Sequence, residues 1–264
     1  MYDQSWEKED IRLQRHQLER DIMLRYLEKY LPARGRILEV GAATGFYTLH
    51  LARQGYFVLA IDLAPEMVKG LEKRAFEAGL QNRVKCHAGD ARHLSGIPLA
   101  YFDAALVMGP LYHLVLREDR LLALEQTFTC LKPGGVVFSA FVSRFGFLGD
   151  VIKEIPEAIH FEKELAYLME HGHDIGRPPV GNFRGYFATM DEIAPLHEEA
   201  GFQMITLAGV EPVISADDES YNRLAGETRR LWSDLLLKVS TEPSMVASSR
   251  HVLYIGRKPA ASVG

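Results

Sequence analysis

A short apolar strand that ends near an acid and turns on a glycine constrains this chain more than any other stretch. Ile37-Leu38-Glu39-Val40 runs into Gly41-Ala42-Ala43-Thr44-Gly45, and the apolar-periodic segment Phe46 to Arg53 follows, so the turn opens a helix. Glycine lacks a Cβ and tolerates positive φ, so such a turn brings backbone N–H groups close to a ligand. The spacing is Gly41-x-x-x-Gly45, with Ala43 and Phe46 where a dinucleotide fingerprint wants its second and third glycines. That departure argues against a pyrophosphate seated on the helix N-terminus. An ordinary strand-to-helix turn in an α/β fold is the competing reading.

Four more segments continue the pattern. Phe57 to Asp62 reads as a second buried strand ending on a carboxylate, about 20 residues past Gly41, where an acid can accept hydrogen bonds from both hydroxyls of a ribose. The alternative for Asp62 is a helix cap, because Pro65 fits the first turn of a helix running to about Gly79. Val84 to Ala88 forms strand three and enters Gly89-Asp90-Ala91-Arg92. Tyr101 to Met108 is strand four, broken at Gly109-Pro110. Leu131 to Phe138 reads as a helix end, a Pro-Gly-Gly turn and strand five.

Taken in order and at βα spacing, these five elements resemble the class I S-adenosylmethionine (SAM)-dependent methyltransferases, closely from Gly35 to about Phe141 and in outline beyond. The resemblance implies SAM as cofactor and S-adenosylhomocysteine (SAH) as product. It implies contacts from Glu39, Gly41, Ala42, Ala43 and Gly45 in the first turn, and from Asp62, Leu63, Met67 and Met108. At Asp90-Ala91 it implies a carboxylate on the adenine amino group and a backbone N–H on a ring nitrogen. The fold it implies is α/β: a Rossmann-like, seven-stranded, mostly parallel sheet with helices on both faces. Its last strand is antiparallel and sits beside the fifth. The parallel part follows independently from βαβ alternation and the right-handed crossover.

Composition narrows the partners. The chain has 264 residues, 47% hydrophobic and 25% charged, ordinary for one soluble α/β domain with a large core. A formal net charge of −5 and the lack of an Arg/Lys stripe with interleaved aromatics disfavour nucleic acid. Cys86 and Cys130 both sit in apolar elements and suit a reducing cytosol as inert core thiols. Charged residues from Glu7 to Arg12, and no apolar run long enough for a signal peptide or membrane span, predict a cytoplasmic protein. The expected state is a monomer or homodimer acting on a small-molecule methyl acceptor, with no metal.

The expected organisation is one methyltransferase domain over 1–264. Residues 1–34 form a helical preface with apolar Ile11, Leu18, Ile22, Leu24, Tyr26 and Leu27. Residues 35–142 form the cofactor-binding core, and residues 143–188 a glycine-rich insertion, long enough inside a compact domain to act as a lid. The C-terminal half of the core spans 189–264. It holds a last core helix from Met190 to Ala200, strand six from Phe202 to Val210, and a helical insertion at about 211–247 with one amphipathic helix from Asp217 to Val239. Strand seven runs from His251 to Gly256.

Methyl transfer from a sulfonium is an in-line displacement in which the protein supplies mainly alignment and water exclusion. A base is needed only when the acceptor is still protonated. Methyltransferases with a Pro-Leu-Tyr-His-Leu stretch form a bacterial subgroup, and Pro110-Leu111-Tyr112-His113-Leu114 resembles it. His113 is thereby the expected base or substrate contact, and Tyr112 shapes the methyl pocket; a backbone-bonded cap is the alternative for His113. His93 reads as a turn cap, and His171, His173 and Asp174 as a solvated loop with no metal-ligand spacing. His160, His197 and His251 carry no signal. Phe183, Arg184 and Tyr186 could line an acceptor pocket for flat aromatics, or pack back on the core. The competing functions are an RNA or protein methyltransferase, and an oxidoreductase or non-catalytic use of the scaffold.

Overall fold

Short apolar runs alternating with amphipathic segments produce parallel strands joined by helical crossovers. In the computed structural model, residues 15–174, 185–213 and 217–260 are described. Helix α1 (Gln17–Tyr30) precedes β1 (Arg36–Val40), α2 (Phe46–Arg53), β2 (Phe57–Asp62), α3 (Pro65–Glu77), β3 (Val84–Ala88) and β4 (Phe102–Val107). Then come α4 (Pro110–His113), α5 (Arg117–Cys130), β5 (Leu131–Ser143), α6 (Leu148–Glu154), a 3-10 turn (Pro156–His160) and α7 (Glu162–His171). The chain finishes with β6 (Phe187–Ala188), α8 (Met190–Glu199), β7 (Gln203–Gly209), α9 (Asp218–Asn222), α10 (Gly226–Val239), α11 (Pro243–Ser248) and β8 (His251–Arg257). No helix among the described residues is long and apolar enough to cross a membrane.

Across the sheet the order is β3-β2-β1-β4-β5-β8-β7, with β6 attached to the far end of β5. Strands β3 to β5 are parallel, and β8 pairs antiparallel with both β5 and β7. The antiparallel last strand therefore lies beside the fifth, as the family resemblance implied. Period-two alternation splits the strands between two cores. Leu38, Val40, Ala105 and Val107 face Leu124 of α5 and Ile193 of α8. Ile37, Ala104, Leu106 and Phe138 face Leu18 and Ile22 of α1 and Leu236 of α10.

Two expectations needed correction. The sheet has eight strands, because β6 adds a two-residue pairing, Val142 with Phe187 and Ser143 with Ala188, too short to leave a hydrophobic pattern. The helix expected from Asp217 to Val239 is two helices, α9 and α10, with Gly226 at φ +54 where the second begins, and α11 follows from Pro243. Among its described residues, the glycine-rich insertion holds α6, the 3-10 turn and α7, packed around Phe147, Val151, Ala158 and Leu168. Ile11 of the preface, and Gly176, Pro178, Pro179, Gly181, Phe183 and Arg184 of the insertion, lie outside the described residues.

Candidate cofactor and acceptor site

A cavity of about 540 Å³ opens where β1, β2 and β4 end, beside the point at which strand order reverses from β1. Ligands in open α/β sheets bind at such switch points. The first turn forms one wall through Glu39, Gly41, Ala42, Ala43 and Thr44, and Asp62, Leu63, Met67, Asp90, Ala91, Met108, Tyr112 and His113 also line the cavity.

Backbone geometry explains the turn. Gly41, Ala43 and Gly45 all take positive φ, at +80, +45 and +80. The Gly41 and Ala42 amides both donate to the Ile61 carbonyl, at 2.8 and 3.0 Å, which fastens the loop to β2. A Cβ on Gly41 would come within 2.5 Å of Pro110, so the glycine is required by the protein's own packing. Gly45 is set off the cavity wall; a Cβ there would strike Leu71 of α3. The missing side chain lets that helix approach.

The carboxylates differ from one another. Asp62 accepts the Ala43 amide at 2.7 Å on one oxygen and the Ala64 amide at 2.9 Å on the other. The N-cap of α3 is Ala64, so Asp62 closes a local turn two residues before it and does not cap the helix itself. Glu39 is 1% exposed and accepts the Thr48 hydroxyl. Burial, with the Asp62 charge adding to it, pushes its carboxyl up to about 8 against the bond from Thr48, so it is mostly protonated at neutral pH. Asp90 is held below the usual carboxylate range by Arg92, whose guanidinium bonds it at 2.7 and 3.1 Å while also reaching Asp119 at 3.0 Å. The acid expected on the adenine amino group is thus already clamped by an arginine.

On the other side of the opening, α4 begins at Pro110 and places the Tyr112 and His113 rings 4.8 Å apart. The Tyr112 carbonyl accepts the Tyr186 amide at 2.8 Å, which ties the insertion to this wall. Tyr186 itself packs back on the core. Arg120 lies 3.4 Å over its ring, its hydroxyl donates to Glu192 at 2.6 Å, and it lines a separate cavity of about 250 Å³. His171 stacks on Tyr167 at 4.1 Å, and His197 is buried against Tyr254 at 3.6 Å, pushed down to about 3 by burial. Burial also pushes the Cys86 thiol up to about 12, in keeping with an inert thiol.

Among the cavity-lining residues with no functional expectation from sequence are Glu19 and Met23 of α1, Ala140 of β5 and His251 of β8. Glu19 carried a readable signal, an acid three positions before Ile22 and seven before Tyr26, on the buried face of its helix. His251 offered none, since nothing in its own neighbourhood marks it. It stands at the cavity because β8 is antiparallel, so its first residue lies where the parallel strands end, paired with Val142.

The family model described as "Methyltransferase domain" matches residues 37–135. Ubiquinone biosynthesis O-methyltransferase of Xylella fastidiosa is 36% identical over 124 residues, covering 47% of this chain and 48% of that protein. An S-adenosyl-L-methionine-dependent Diels-Alderase of Talaromyces variabilis is 36% identical over 106 residues, 40% of this chain and 35% of its own. The chain therefore spans about half, or less, of the length of these curated relatives. Among solved structures, a SAM-dependent methyltransferase from Methanosarcina mazei superposes with TM-score 0.60 at 21% identity, over 89% of this chain and 97% of that one. The CcbJ methyltransferase of Streptomyces caelestis gives 0.57 at 16% identity, over 92% and 89%. Both likenesses bear on fold alone. Residues 37–135 thus match a methyltransferase-domain family model, within a sheet that has the fold of the superposed methyltransferases and a cavity at its switch point.

Proposed function

We propose that this chain is a SAM-dependent methyltransferase that transfers a methyl group to a small molecule. The observation that carries the reading is the cavity's set of carboxyl acceptors: Glu19, Glu39, Asp62, Glu66 and Asp90 line it, and no Lys or Arg is among its described lining residues. A pyrophosphate-bearing dinucleotide would want the opposite wall. SAM is a nucleoside with a diol, a sulfonium and an ammonium, and it fits a wall of carboxyl groups set in apolar surface. In this reading Asp62 holds the ribose, Glu39 and the Gly41–Thr44 turn face the methionine part, and Asp90, Ala91, Leu63, Met67 and Met108 enclose the adenine side. Tyr112 and His113 contact the acceptor, and the 143–188 insertion, joined to Tyr112, covers it as a lid. When bound, SAM supplies an already activated methyl group. The chain's own contribution is orientation and exclusion of water, with orientation alone worth roughly 7–11 kcal/mol.

The Xylella relative supports oxygen as the methylated atom. The Diels-Alderase relative keeps a different use of the same domain in view, since fold does not set chemistry. Thermal-shift titration with SAM, SAH, NAD and NADP tests the cofactor: a ligand at 100 times its Kd stabilises by roughly 2.7 kcal/mol. Stabilisation by SAM and SAH alone supports the reading, and stabilisation by NAD or NADP overturns it. SAH release with a panel of phenols, amines and thiols then separates methyl transfer from cofactor binding without transfer.

A further inference from the structure

The cavity wall also carries an imidazole between two buried carboxylates. His251 Nδ1 lies 3.1 Å from Glu211 Oε2 and 3.5 Å from Glu19 Oε2, and Glu19 and Glu211 are 5% and 1% exposed. Glu211 Oε2 also accepts the His251 backbone amide at 2.9 Å, while its other oxygen accepts Arg250 Nε at 2.8 Å. Glu211 is therefore fixed at both oxygens and fixes His251 in turn. Burial opposes its ionisation, but His251 and Arg250 together hold its carboxyl below the ordinary range. With Nδ1–H directed at Glu211, the basic lone pair of a neutral ring falls on Nε2. Two carboxylates beside the ring also stabilise the imidazolium left after a proton arrives.

These contacts join three parts of the chain, α1, the segment after β7 and the first residue of β8, at the carboxyl edge of the sheet. The apolar residues Met23, Phe46, Tyr47 and Tyr112 of the same cavity suit a flat ring. A neutral amine acceptor needs no base, whereas a phenol at neutral pH does. We propose that His251, held by Glu211 and Glu19, takes the proton from the hydroxyl of an aromatic acceptor, an inference that rests on the methyltransferase reading above. The acceptor oxygen forms its bond to the methyl carbon as the carbon–sulfur bond breaks. The sulfonium electrons return to sulfur as a neutral thioether, and the hydroxyl proton passes to Nε2 and then to solvent.

The test compares the wild-type chain with His251→Asn, whose amide can still donate to Glu211 but offers no basic nitrogen. Calorimetry with SAH should give affinities within about twofold of each other, since neither ring nitrogen is assigned to the cofactor. In the SAH complex, bound 4-nitrophenol should show phenolate absorbance below its own pKa with wild type and lose it in the variant. With catechol and SAM, kcat should fall roughly 10²–10⁴-fold in the variant. If the asparagine variant does not fold, the wild-type nitrophenol spectrum decides: a bound phenol that stays protonated overturns the proposal. Retained ionisation and a rate within a few-fold in the variant overturn it too, as does a wild-type enzyme that methylates amines and no phenol. A wild-type chain that binds no SAH fails the methyltransferase reading first, and that outcome is distinct from all of these.

Discussion

Two buried or half-buried acids respond to a ligand in different ways. Asp62 already serves two backbone amides, Ala43 and Ala64, so its remaining lone pairs are pre-aimed and the loop depends on it. Asp62→Ala should weaken SAH binding by about 1.5–3 kcal/mol, the value of a hydrogen bond to a charged group, and calorimetry would read this directly. Part of the loss should appear as a lower Tm, because the Ala43 amide loses its partner. Unchanged affinity would remove Asp62 from the ribose. Glu39 is the opposite case, its folded pKa raised from 4.5 to about 8 chiefly by burial. A raised value means that its contribution to stability is complete below the unfolded pKa and is lost as pH rises toward 8. An ammonium placed beside it would favour the carboxylate. SAH binding at neutral pH should therefore release a proton from wild type and not from Glu39→Gln. Binding heats measured in two buffers of different ionisation enthalpy report this, and equal proton release by both proteins would take Glu39 out of the methionine contact.

At the scale of elements, the first turn is held from below and from the side. Gly41 sits at φ +80 with Pro110 of α4 where its Cβ would go. Gly41→Val should therefore cost stability as well as binding, about 1–3 kcal/mol for overpacking plus the strain of positive φ, read by denaturant unfolding. A fully stable variant would mean that α4 can move away. The insertion meets the same wall through Tyr112, whose carbonyl holds Tyr186 and whose ring packs against the small core of α6 and α7. If it is a lid, amides of 148–171 should gain protection from hydrogen exchange when SAH and acceptor are both bound. Protection that no ligand alters would make the insertion plain scaffold.

Over the whole molecule, one arginine gathers segments far apart in sequence. Arg250 is 4% exposed and bonds Asp150 of α6 at 2.8 Å. It also bonds Glu211, and His16 at 2.8 Å, and lies 3.4 Å from Asp218 of α9. His16 in turn contacts Asp218 at 2.9 Å. The preface, both insertions and the last strand therefore share one buried network. Its carboxylates outnumber its cations, so removing the arginine leaves uncompensated buried charge. Arg250→Met should destabilise by about 3–5 kcal/mol in urea unfolding, more than any single surface ion pair would. A loss under about 1 kcal/mol would mean that the network is solvated in solution.

How far each feature could be read ahead follows from the range of the interactions behind it. The strands β1 to β4, the turn at Gly41 and the helix from Phe46 were legible because apolar period, glycine and proline act within a few residues. That local record also carried Asp62, Asp90 and the Pro110–His113 turn to the cavity. The same pattern could not show why position 45 must be glycine, since Leu71, which fills the space of its Cβ, is 26 positions away on another helix. The break between α9 and α10, and the two-residue β6, were hidden because tertiary contacts hold them with little help from local propensity. Glu19, Glu211 and His251 come from the two ends of the chain, and no spacing in a linear sequence relates them. Only the antiparallel insertion of β8 between β5 and β7 brings the start of that strand to the carboxyl edge of the parallel strands. The long-range pairing of strands thus placed Glu19, Glu211 and His251 together, while the glycine-turn wall was written in consecutive residues.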